Sequence, residues 1–119
     1  MQILVVDDSR AMRSIVIRAV KAAGVEATFI EAQNGAEALA AVRQVKPDLV
    51  LSDWNMPEMT GIDLLKALRA EGNPVPFGFV TSEGEAVQRE RAREAGALFL
   101  IAKPFSPDAV RDALAALPG

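Results

Sequence analysis

The 119-residue chain has no cysteine, no histidine and no tyrosine. Without cysteine, neither a disulfide framework nor a thiolate metal site can form. Without histidine, the chain lacks the commonest general base and the commonest transition-metal ligand. That leaves carboxylates, hydroxyls, amides, ammonium and guanidinium groups for its chemistry. No apolar run approaches the ~20 residues needed to span a bilayer. The N-terminal MQILVVDDSR has no basic leader and too short an apolar run for a signal peptide. A cytoplasmic protein with no membrane partner is expected. The net charge of −3 argues against a nucleic-acid surface. Half the residues are apolar, and the length suits one domain with one core.

What is present is an alternation of short apolar runs with helical patterns. ILVVD (Ile3 to Asp7) and LVLSD (Leu49 to Asp53) are continuous apolar runs, as strands buried on both faces should be. EATFI carries Glu and Thr and reads as an edge strand. FGFVT (Phe77 to Thr81) and LFLIA (Leu98 to Ala102) complete five. Gly78 inside a strand points to close packing or a loose start. The intervening helices show start and stop signals. Asn34 with Glu37 and Thr60 with Asp63 open two of them, and Ser106 with Pro107 opens the last. Met12, Ile15, Val16, Ala19 and Ala23 form a predicted inward stripe on the first helix. The fourth helix, in EGEAVQRERAREAG, has few apolar anchors, chiefly Val87 and Ala95. Five strands each followed by a helix predict an α/β fold, a doubly wound parallel sheet with helices on both faces.

Ligands in such sheets bind beyond the carboxyl ends of the strands. The first predicted strand ends in Asp7 and Asp8, the third in Asp53 and the fourth in Thr81. Lys103 lies just past the fifth. The second delivers only Glu31, which suits an outer position. Alone, each has an ordinary reading: Asp8 or Ser9 as a helix cap, Thr81 as a strand end, Lys103 as a solvated loop residue. Together they imply more. Clustered carboxylates repel unless a cation relieves them. Mg²⁺ takes oxygen ligands, commonly one or two carboxylates plus a phosphate. Lys103 and Thr81 then suit the phosphate as point charge and hydrogen-bond donor. A carboxylate at the centre of such a site is a nucleophile toward phosphorus. Asp53 is the best candidate, because the turn through Asn55, Met56 and Pro57 can lift it clear of the strand.

The runs ILVVDDS, QNGAEAL, PDLVLSDWNMPEMTGIDLLKALR, FVTSEG and AKPF resemble, in order and over nearly the whole chain, the response-regulator receiver domains of bacterial two-component signalling. The single-domain chemotaxis regulators are the nearest likeness. The resemblance implies one receiver domain over residues 1–119. Its fold would be flavodoxin-like, with strand order 2-1-3-4-5 and five helices. It implies a phosphorylation-activated switch rather than an enzyme, with self-phosphorylation and self-dephosphorylation as its only reactions. Asp53 would be the phosphoacceptor. Mg²⁺ would be held by Asp7, Asp8, Asp53 and the backbone carbonyl of Asn55. Thr81 and Lys103 would contact the phosphoryl group, and the Lys103–Pro104 peptide would be cis. Asn55 and Glu83 would match the rapidly dephosphorylating members. The partners implied are a sensor histidine kinase or phosphotransfer protein, which supplies the missing histidine, and an output protein. The output protein would dock on the fourth helix, fifth strand and fifth helix.

Two features depart from the family pattern, one of them the approach to the fourth strand, NPVPFGFVT, with its Gly78. The other is the residue three before the Lys, often Tyr or Phe, which is Leu100 here, with Phe99 next to it. A switch carried by Thr81 with modest repacking of Leu100 is expected. A Mg²⁺-dependent phosphohydrolase is the competing reading. Such enzymes use an acid two residues after the nucleophile, and here that residue is Asn55. A constitutively binding pseudo-receiver is opposed by the intact Asp7, Asp8, Asp53, Thr81 and Lys103.

Overall fold

The computed structural model describes residues 1–82 and 84–117. Strands and helices alternate: β1 (Gln2–Val6), α1 (Arg10–Ala22), β2 (Thr28–Ala32), α2 (Gly35–Val45), β3 (Leu49–Ser52), α3 (Gly61–Ala70), β4 (Phe77–Thr81), α4 (Ala86–Ala95), β5 (Phe99–Ala102) and α5 (Pro107–Leu114). All strand pairs are parallel, in the order β2-β1-β3-β4-β5. The chain therefore winds outward from β1 in both directions. The crevice between the carboxyl ends of β1 and β3 is where the winding reverses.

Because side chains alternate along a strand, each central strand feeds two cores. On one face Leu4, Val6, Val50, Phe77 and Phe79 pack against α2, α3 and α4, through residues such as Val42, Leu65, Leu68 and Ala92. On the other, Ile3, Val5, Leu49, Leu51, Val80 and Ile101 pack against α1 and α5, through Val16, Val20, Val110 and Leu114. β1, β3 and β4 are buried along nearly their whole length, whereas β2 is only partly buried, as an edge strand should be.

The caps fall where the sequence signals them. Ser9, Asn34, Thr60 and Ser106 each accept a backbone N–H from the first turn of the helix that follows. α4 has no such cap: Glu85 precedes it without a side-chain hydrogen bond, and Ala92 is its buried residue. Two expected anchors are exposed. The buried stripe of α1 runs through Val16, Val20 and Ala23, leaving Ile15 44% exposed, and Val87 on α4 is 59% exposed. The charge-rich α4 touches the sheet through its small residues instead. Its Ala92 and Ala95 face the core, and a valine at position 87 lies off that line.

Gly78 is a close-packing glycine. A Cβ built there would lie 2.1 Å from Cε1 of Phe99 on the neighbouring strand, so the missing side chain is the space the ring occupies. Phe99 and Leu100 point to opposite faces, Phe99 toward the α1/α5 core and Leu100 toward the α3/α4 core.

Candidate functional site

At the carboxyl edge of the sheet, β1 ends in Asp7, which is buried, and Asp8, which is exposed. β3 delivers Asp53, half-buried, immediately after its last residue. One carboxylate oxygen from each of Asp7, Asp8 and Asp53 lies within 4.8 Å of the other two. Lys103, which follows β5, brings its Nζ to 3.3 Å from Asp7 Oδ2 and 3.8 Å from Asp53 Oδ1. Thr81, fully buried at the end of β4, hydrogen-bonds the Asp53 carboxylate. Residues up to 96 positions apart in sequence are thus brought together because four strands end at one edge.

Each group is held from behind. Asp7 Oδ1 accepts the Ser9 N–H at 2.9 Å. The Asp53 N–H donates to Val6 O at 2.9 Å, tying the acid to the end of β1. Asp53 Oδ1 accepts the Trp54 N–H at 2.8 Å, and the Ser52 hydroxyl donates to Asp53 O. The turn that follows folds back on the acid. Gly61 N–H donates to Trp54 O at 2.7 Å, and a Cβ on Gly61 would lie 2.1 Å from Asp53 O. The glycine ending DWNMPEMTG is therefore required by the backbone of Asp53. Trp54 and Met56 turn inward: Trp54 packs on Phe79 with ring centroids 4.8 Å apart, and the Arg91 guanidinium lies 5.6 Å from its ring centroid. The Lys103–Pro104 peptide is cis.

The electrostatics are those of a site short of positive charge. Burial pushes the Asp53 carboxyl above its ordinary pKa. Lys103 opposes this and Asp7 adds to it, while the Trp54 N–H and the Thr81 hydroxyl pull it back down; the net shift is upward. An oxygen-only donor set with a net excess of carboxylates fits a hard divalent cation. Asn55 is exposed on the same turn, and Glu83, expected beside the phosphate, lies outside the described residues. The signal missed in the sequence is Arg13. Its Nη1 donates to the Asp7 carbonyl at 2.7 Å and its Nε to Glu31 at 2.9 Å.

A parallel sheet that reverses between β1 and β3, with acids, a hydroxyl and a lysine at its carboxyl edge, defines a class, and comparison with known proteins names it. The family model described as the response regulator receiver domain matches residues 3–115, and the chain belongs to that family. It is a phosphorylation-activated switch of two-component signalling. It is 36% identical over 122 residues to the chemotaxis protein CheY1 of Helicobacter pylori, covering 100% of this chain and 98% of that one. It is 40% identical over 116 residues to CheY-3 of Vibrio cholerae, covering 96% and 88%. Among solved structures, the chemotaxis response regulator CheY4 of Vibrio cholerae superposes with a TM-score of 0.84 at 31% identity, covering 98% of both chains. The receiver domain of the Francisella response regulator 1452 gives 0.86 at 26% identity, covering 98% and 94%.

Proposed function

We propose that the chain is one receiver domain over residues 1–119, that Asp53 is its phosphoacceptor, and that Mg²⁺ is held by Asp7, Asp8, Asp53 and the Asn55 carbonyl. The observation that carries this reading is the convergence of the three carboxylates within 4.8 Å, with Lys103 3.8 Å from Asp53. One Asp53 oxygen forms the new P–O bond as the bond from phosphorus to the donor breaks. The electron pair leaves with the donor, a kinase or phosphotransfer histidine nitrogen or the acyl oxygen of a small acyl phosphate. Lys103 and Thr81 offset the charge on the phosphoryl oxygens in place of water. A bound divalent ion supplies further charge neutralisation. The same site returns phosphate to water, so self-phosphorylation from small donors and self-dephosphorylation are its reactions.

The signal leaves through the α4 side of the sheet. Thr81 pairs with Ala102 and Phe79 with Leu100, so Thr81 and Leu100 are diagonal neighbours across β4 and β5. α4 lacks a cap and has little buried surface, which makes it inexpensive to move. The output protein docks on α4, β5 and α5, in the cytoplasm, and the names of the relatives favour chemotaxis as the pathway. The test is intact-mass detection of one phosphoryl group after incubation with acetyl phosphate and Mg²⁺. Labelling that persists in Asp53→Asn contradicts the assignment.

A further inference from the structure

We propose that Arg13 is a positioning residue for the divalent cation, acting through the peptide unit that joins Asp7 to Asp8. This rests on reading Asp7, Asp8 and Asp53 as the cation's ligands. Arg13 projects from α1 with its side chain 12% exposed. Nη1 donates to the Asp7 backbone carbonyl at 2.7 Å, and Nε donates to Glu31 Oε1 at 2.9 Å. Glu31 belongs to β2, whose register sets it beside Val5 of β1. One rigid guanidinium thus ties α1, the end of β1 and β2 together.

A peptide unit is planar, so fixing the Asp7 carbonyl fixes the plane that carries the Asp8 nitrogen. That plane sets the direction in which the chain presents Asp8. The Asp7 side chain is held independently, by the Ser9 N–H and by Lys103. Asp8 is exposed, so backbone direction rather than packing aims its carboxylate. Arg13 therefore acts on the acid that has the least other support. The charge of a guanidinium here would by itself weaken cation binding. The ion pair with Glu31 offsets that charge and leaves the hydrogen-bond geometry. The planar fork is what permits two donations in fixed directions, which a lysine cannot reproduce.

The charge and positioning effects have opposite signs, and this makes the test decisive. Mg²⁺ is titrated into the full chain and binding is read by calorimetry and by the emission of Trp54. The wild type is compared with Asp8→Asn, Arg13→Met and Arg13→Lys, after thermal unfolding of each in the absence of Mg²⁺. Arg13→Met keeps the aliphatic stem and removes the donors. It is expected to weaken Mg²⁺ binding about 10-fold, the lower end of what losing a group behind a metal ligand costs. Arg13→Lys is expected to fall between it and the wild type. Unchanged or tighter binding by Arg13→Met overturns the proposal. If Arg13→Met does not fold, Arg13→Lys decides, and wild-type affinity in that variant overturns it. If the wild type binds no Mg²⁺, or Asp8→Asn binds equally well, the metal-site reading is what has failed.

Discussion

Lys103 Nζ lies 3.8 Å from Asp53 Oδ1, linking the end of β3 to the turn after β5 across the intervening β4. The same ammonium lies 3.3 Å from Asp7, so it is shared between two carboxylates that would otherwise face each other across the crevice. With a single ammonium among the described residues shared by the two acids, and Asp53 raised above its ordinary pKa by burial and by Asp7, the resting site has an electrostatic deficit. Its consequences are measurable.

Asp53→Asn should stabilise the metal-free protein at neutral pH. A carboxyl whose folded pKa is raised contributes stability that is fully present below its unfolded pKa and is lost as pH rises through the folded one. The amide removes that loss. Denaturant midpoints should rise in the variant at neutral pH, and the gain should fade in acid below the ordinary carboxylate pKa. A variant less stable than wild type at neutral pH would contradict the direction of the shift.

Lys103→Met should have the opposite effect. Removing the ammonium leaves Asp7 and Asp53 unrelieved and pushes Asp53 further up, because Lys103 is the strongest influence lowering its pKa. The metal-free variant should lose most stability at neutral pH and recover part of it in acid, and added Mg²⁺ should stabilise it more than the wild type. Equal losses at both pH values would mean that Lys103 acts only through packing.

Two glycines should respond differently to alanine. At Gly78 the new methyl meets the Phe99 ring, which can rotate away, and overpacking of this kind costs about 1–3 kcal/mol. Phe99→Leu in the same chain should restore part of it. At Gly61 the obstacle is the backbone carbonyl of Asp53, which cannot move without moving the acid. Gly61→Ala should therefore be the more destabilising and should also slow labelling by acetyl phosphate. Chemical denaturation of the three variants, with intact-mass labelling, checks both expectations.

The route from site to surface is tested by amide exchange on the resting and phosphate-mimic-bound protein. The largest changes should fall between Thr81 and Ala95 and near Leu100, since α4 is uncapped and thinly anchored. Leu100 has no hydroxyl and is smaller than the aromatic residue often found there. Leu100→Ala should thus leave labelling nearly intact while altering partner binding. Changes concentrated on α1, residues 10–22, would redirect the account to the opposite face.

Much of this site is legible in the sequence because strand ends are legible. ILVVDD, LVLSD and FGFVT each finish on the polar residue that the sheet then gathers at its edge, and AKPF supplies the lysine just beyond β5. Asn34 with Glu37 and Ser106 with Pro107 fix helix starts through local bonds, which periodicity and caps capture. What is not legible depends on rotation and tertiary approach. Ile15 and Val87 lie at plausible helical spacing yet face outward, because the rotation of a helix on its sheet is set by the whole contact surface. Trp54 follows the acid in sequence, yet its packing on Phe79 buries it. Glu31 reads as an outer-strand acid, and nothing in the sequence pairs it with Arg13. Only the fold brings them to the Asp7 carbonyl.

On the proposed reading, Asp53 is the nucleophile of a Mg²⁺-dependent phosphoryl transfer. This is tested most directly by the intact mass of the protein after incubation with acetyl phosphate, with Mg²⁺ or with excess chelator, for wild type and Asp53→Asn. The expected result is a single added phosphoryl group in the wild type with Mg²⁺, none with chelator, and none in the variant under either condition. A phosphoryl group on Asp53→Asn, or wild-type labelling that ignores the chelator, would contradict the account.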